Sequence, residues 1–171
     1  MQSDVDGPLQ AIVDFLASIW YIVRFGTQSG TPGLPGISLE DGVMVVDREQ
    51  LVSAGDLLHE AGHLAVMPPA RRRAARGRFD ASQAVEMMAQ AWSYAAARHL
   101  GLDPAQVFHE HGYGDGGGGW LVTAFAEGAA IGVPGLCWLG LTSHKIGGEI
   151  VPDAVYPTMI TWTNETENEL R

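Results

Sequence analysis

The sequence has one cysteine, Cys137, in 171 residues, so no internal disulfide can form and nothing points to a secreted, stapled fold. Positive charge is scarce as well. Ten Lys and Arg stand against twenty Asp and Glu, a net charge of −10, which argues against nucleic acid as a partner drawn by bulk attraction. The N-terminus lacks the basic start of a secretory signal and carries Asp4 and Asp6 instead; a cytoplasmic protein is expected, with the Asn164-Glu165-Thr166 sequon idle. Long unbroken apolar runs are also missing. Between residues 120 and 141 only Glu127 is charged, but Gly128, Gly132, Pro134, Gly135 and Gly140 interrupt the stretch, so a buried helix and turn is expected and not a membrane span. The glycine-rich stretch 112–119 lacks a following Gly-Lys-Ser/Thr, which makes it a mobile loop and not a phosphate cradle. No internal repeat is visible.

What the chain does have is His59-Glu60-Ala61-Gly62-His63 inside an apolar segment. Four residues are close to one helical turn, so His59 and His63 stand one above the other and offer two imidazoles to one metal ion. Glu60 points about 100° further round the helix, where it can reach a metal-bound water without being a ligand. Ser53 and Asp56, three residues apart, read as a capping box that opens the helix, and Pro68-Pro69 closes it. Five of the ten basic residues follow directly: Arg71, Arg72, Arg73, Arg76 and Arg78. This run reads as a solvated loop, or else as a rim that steers an acidic partner.

Elsewhere, Leu9, Ile12, Val13, Leu16, Trp20 and Val23 recur at helical spacing and predict an amphipathic helix over 9–25. Phe15, Ile19, Tyr21 and Ile22 widen its apolar surface, which leaves a peripheral membrane contact or partner helix as a second use. A Gly/Pro-rich connector over 26–36 follows. Ile37-Ser38-Leu39 and Val43–Val46 flank Glu40-Asp41-Gly42 and predict a hairpin. Its sheet edge would offer an extended peptide a strand to pair with. Asp80 with Gln83 reads as the start of a second helix and Gly101 as its C-terminal cap. Asp103-Pro104 opens a short helix to about His111. Strands are expected at 149–151 and 158–163, and residues 164–171 read as a frayed tail.

Catalytic zinc is usually held by three protein ligands, and no third histidine follows His63 closely. Candidates are Glu86, Asp80, His99, His109, His111 and Glu127. Glu86 shares a helix face with Ala89, Gln90, Ser93 and Ala97, while Ala61, Gly62 and Ala65 are small on the motif helix, so these two helices can approach closely. The pair of segments His59-Glu60-Ala61-Gly62-His63 and Glu86-Met87-Met88-Ala89-Gln90-Ala91-Trp92 resembles the zincins whose third ligand is a glutamate on a second helix, most nearly the ImmA/IrrE-type metallopeptidases. Gln90 stands where that family has Asn. The resemblance covers roughly residues 53–100 and implies zinc on His59, His63 and Glu86. It also implies peptide hydrolysis by a zinc-bound water, with Glu60 as general base. Placement near the glycine loop makes His111 and Tyr113 candidates for stabilising the oxyanion, and the loop a candidate lid.

The fold expectation is therefore α+β: a single zincin-like domain over 1–171, with the HExxH helix, a second ligand-bearing helix and a small sheet. Its parts are an N-terminal helix and connector (1–36), the metal-site core (37–111), and a glycine loop, apolar segment and C-terminal strands (112–171). The expected partner is a peptide or protein substrate, with neither nucleic acid nor membrane. Two other classes compete: a non-catalytic zinc-binding regulatory or interaction protein on the same scaffold, and a membrane-associated interaction protein built on segments 9–25 and 120–141.

Overall fold

In the computed structural model, residues 3–27, 34–77, 81–112, 116–145 and 151–167 are described. The architecture is α+β, with six helices and one three-stranded sheet among these residues. Helix α1 (Ser3–Ser18) buries Leu9, Ile12, Phe15 and Leu16. It ends well before the predicted residue 25. The Tyr21 N–H returns to the Leu16 carbonyl at 2.9 Å, Trp20 takes a left-handed backbone at φ 69°, and the chain leaves as strand β1 (Val23–Phe25). Trp20, assigned to the core face by periodicity, is 91% exposed.

Strands β2 (Ile37–Glu40) and β3 (Val43–Val46) form the predicted hairpin. Asp41 and Gly42 both have positive φ, 51° and 78°, as a two-residue turn matched to strand twist requires. The part not foreseen is β1, which pairs parallel with β3, so the strand order is β1-β3-β2.

Helix α2 (Gly55–Val66) is one continuous helix, buried along its whole length. Half of the expected capping box forms: the Ser53 N–H donates to Asp56 Oδ2 at 3.3 Å, but Ser53 Oγ accepts from the Gly55 N–H at 3.2 Å, while the Asp56 N–H goes to the Ser53 carbonyl and the N-cap position falls on Ala54. Pro68 stops it, and a short helix, α3 (Pro69–Arg73), carries the arginines. Helix α4 (Gln83–Leu100) packs along α2 as its main neighbour. Its N-cap is Ser82, whose Oγ accepts from the Val85 N–H, and Asp80 lies outside the described residues. Gly101 closes it at φ 68° as predicted.

After α4 the expected short helix is a single 3₁₀ turn, Pro104–Gln106. The apolar stretch folds as two short helices, α5 (Gly119–Ala126) and α6 (Val133–Trp138). No helix among the described residues is long and apolar enough to cross a membrane. Gly132 between them has φ 69°, and a Cβ there would lie 2.0 Å from the Met87 carbonyl oxygen, so only glycine fits. The predicted strand at 158–163 is absent. Isolated bridges Thr142↔Met159 and Ser143↔Val155 stand in its place; the segment is held by single backbone bonds such as Ile160 N–H to the Leu141 carbonyl at 2.8 Å, and by Trp92 Nε1, which donates to the Trp162 carbonyl at 2.9 Å. The predicted strand at 149–151 lies mostly outside the described residues.

The tail is not frayed at its start. Asn164 is fully buried, its N–H donating to the Ala65 carbonyl at 2.8 Å and its Nδ2 to the Val66 carbonyl at 3.2 Å. Arg72 joins it, donating from Nε to the Leu64 carbonyl at 3.0 Å and from Nη2 to the Met67 carbonyl at 3.1 Å. Four carbonyls at the C-terminus of α2 are thereby satisfied, with a guanidinium at the negative end of the helix dipole. One member of the arginine run is thus a helix cap, half-buried, and not loop solvation.

Candidate metal centre

Asp56, His59, Glu60 and His63 recur at i, i+3, i+4 and i+7, so they share one face of α2. All four are buried. Directly across, Gly62 meets the backbone of Ala89: a Cβ on Gly62 would stand 2.8 Å from the Ala89 carbonyl oxygen. That close approach of α2 and α4 delivers Glu86, in the first turn of α4, to the two histidines.

The three donors converge. Glu86 Oε1 lies 3.3 Å from His59 Nε2, Glu86 Oε2 lies 3.1 Å from His63 Nε2, and the two Nε2 atoms are 3.2 Å apart. Ligand atoms at the corners of a tetrahedron about an ion bonded at about 2.0–2.1 Å are about 3.3 Å apart. The separations here are of that order, with one Glu86 oxygen facing each imidazole, so His59, His63 and Glu86 could hold one metal ion. The side chain of Glu86 is 36% exposed, which leaves the site open toward solvent on the α4 side.

The electrostatics follow from burial and these contacts. Burial works against the charge on Glu86, but hydrogen bonds with the His59 and His63 rings outweigh it and hold the carboxyl well below the usual glutamate range. Glu60 goes the other way: desolvation raises its carboxyl, the neighbouring His63 and His59 lower it, and the charges of Glu86 and Asp56 add to the rise. Gln90, one turn beyond Glu86, donates from Nε2 to Glu86 Oε1 at 3.3 Å and so orients the carboxylate. The sequence places Gln90 on the face of Glu86, and their i, i+4 spacing is the signal for this bond.

His109 Nε2 bonds to Asp56 Oδ1 at 2.7 Å, and the His111 N–H donates to His109 Nδ1 at 3.2 Å. With Nδ1 accepting, Nε2 carries the proton given to Asp56. Burial raises the Asp56 carboxyl, and this bond from His109 opposes the rise. Both ring nitrogens of His109 are thus engaged, so the residue ties the loop after α4 to the first turn of α2. Gly112 permits this, because a Cβ there would come within 3.1 Å of the His109 ring.

Of the other candidates, His111 is exposed, with Nε2 at 3.3 Å from Glu110 Oε1. His99 packs against the rings of Phe15 and Trp162. Glu127 is exposed at the end of α5. Among the described residues, none of these belongs to the converging group. Tyr113 lies outside the described residues. Compared with known proteins, the chain matches no family model, no curated protein and no solved structure.

Proposed function

We propose that the chain is a zinc-dependent metallopeptidase, with His59, His63 and Glu86 as the metal ligands and Glu60 as general base. The observation that carries the reading is the convergence of two imidazoles and one carboxylate beside a buried glutamate on the same helix face. A nitrogen and oxygen donor set of three, with a fourth position open, is the kind used by catalytic zinc. When bound, zinc supplies a Lewis acid that acidifies water and polarises the scissile carbonyl.

The rest is the work of the chain's own residues. Glu60 takes the proton of the attacking water and hands it to the departing amine, a transfer for which its place beside His59 and His63 on one buried helix face suits it. Gln90 fixes the Glu86 carboxylate, and the His109–Asp56 bond fixes the start of α2, so the reacting groups stay in register. The burial of Glu60, 5% exposed, favours a second reading, a zinc-binding regulatory or interaction protein that performs no hydrolysis.

The two readings separate on Glu60. Zinc content of the purified protein is measured first, then cleavage of a mixed peptide library. Under the peptidase reading Glu60→Gln keeps its zinc and loses hydrolysis by about 10²-fold or more. Zinc retained with no cleavage by the unaltered protein would favour the second reading. Absence of zinc binding would sink both.

A further inference from the structure

The corner where α1 turns into β1 borders a hollow of about 600 Å³, with an apolar wall of Ile19, Trp20, Ile22 and Val43. Trp20 is 91% exposed and Ile22 62%, so two large side chains stand in water with little of the fold packed on them. Trp20 also holds a left-handed backbone, φ 69°, at a helix stop usually given to glycine. An indole there strains the backbone and adds little to this chain's own core, which points to packing against a body outside the chain.

The charged lining narrows what that body is. It consists of Asp41, Glu165, Arg72 and Arg73, two of each sign. Asp41 is paired with Arg76 and Glu165 with Arg72, whereas Arg73 is exposed and makes no hydrogen bond or ion pair among the described residues. A wholly acidic partner would be set against Asp41 and Glu165, and a wholly basic one against the arginines. A flat bilayer would leave the concavity unfilled. What fits is a surface that carries both signs around a protruding apolar side chain.

The rim of the hollow is itself such a surface, and a two-fold interface, which uses one patch on both partners, must complement itself in this way. Charge over the whole chain favours the same face. Five of the ten basic residues fall in 71–78, a stretch with no acidic residue, and the rest of the chain holds the other five against all twenty acidic ones. Two copies of a chain with net charge −10 therefore repel each other least where this stretch lies in the contact.

We propose that the hollow is a self-association surface, on which a second copy of the chain docks about a two-fold axis, Trp20 of each copy entering the apolar wall of the other and Arg73 of each meeting the other's acidic lining. One hollow and its rim make a small interface, so the dimer is weak and forms at micromolar concentration. It stands apart from the metal centre: none of His59, Glu60, His63 or Glu86 lines the hollow, and the dimer does not depend on the peptidase reading.

The test is sedimentation equilibrium of the full chain over about 1–300 µM, with chelator present so that no shared metal ion bridges two copies. The parent should pass from monomer to dimer across this range. Trp20→Gly, which relieves the left-handed backbone, and Arg73→Glu, which sets acid against acid, should each raise the dissociation constant at least about tenfold while keeping the parent's circular dichroism. Trp138→Ala removes an indole that is half-exposed away from the hollow and should associate like the parent. A parent that stays monomeric throughout overturns the proposal and leaves the hollow to an unlike partner. Association unchanged in Trp20→Gly or in Arg73→Glu, or lost in Trp138→Ala, overturns it and moves the contact elsewhere on the chain. Should Trp20→Gly lose its helical signal, Arg73→Glu alone decides.

Discussion

On the proposed reading Glu86 carries the heaviest demand on any single side chain, because among the converging residues it alone comes from α4. Glu86→Ala should weaken zinc binding by orders of magnitude, whereas Glu127→Ala and His99→Ala, both outside the converging group, should stay near the parent; competitive chelator titration measures all three. Gln90→Leu removes only the hydrogen bond that orients Glu86, so a loss of about tenfold in affinity is expected. Acid sensitivity follows from the same carboxyl. Its proton affinity in the fold lies below the ordinary glutamate value of 4.5, so on acidification the unfolded chain takes up the proton first. The stability it contributes is complete above 4.5 and is lost as pH falls below it toward the folded value. Urea unfolding of chelator-treated protein should show this acid loss, and Glu86→Gln should flatten it; identical profiles would contradict the assignment.

Between elements, the decisive contact is that of α2 with α4. Gly62→Ala gains about 1 kcal/mol of helix propensity, but its new Cβ would lie 2.8 Å from the Ala89 carbonyl oxygen, which is backbone and cannot swing aside. Overpacking of this kind costs about 1–3 kcal/mol, so the net effect should be destabilising. Zinc affinity should fall with it, since the helices separate just where the ligands converge; equilibrium unfolding and chelator competition test the two halves. The C-terminus of α2 is the other joint. Asn164→Ala withdraws the side-chain donor from the Val66 carbonyl and should cost about 1–2 kcal/mol. Hydrogen exchange should show faster opening in the last turn of α2, the turn that carries His63, and unchanged protection there would argue against Asn164 as a cap.

Across the whole molecule, remote segments close around α2. Trp162 accepts from Trp92 across 70 residues, and Asn164 reaches Val66 across 98. Phe15 of α1 packs edge-on to Trp162, with ring centres 5.0 Å apart, which brings the first helix into the same cluster. A chain cut after Thr161 loses the aromatic anchor and the helix cap together. It should unfold with roughly 3 kcal/mol or more less stability, the combined cost of a half-buried tryptophan and at least three hydrogen bonds. Circular dichroism with zinc titration would register the loss, and a truncated chain that melts and binds like the parent would show the tail to be dispensable.

The sequence by itself determined what depends on near neighbours. Ser53 with Asp56 and the double proline bounded α2, the four-residue spacing stacked His59 on His63, Asp41-Gly42 turned the hairpin, and Gly101 closed α4; each is settled within a few residues by backbone sterics and local hydrogen bonds. The small residues facing one another on α2 and α4, with the resemblance, singled out Glu86 among six candidates; the crossing of the helices is what brings its carboxylate beside both imidazoles. What only the tertiary structure decided rests on partners far along the chain. Trp20 left the core face because α1 stops at Ser18, and 23–25 became a strand because β3 offered an edge. Asn164 and Arg72 were drawn from a tail and a loop because four carbonyls at the end of a buried helix must find donors.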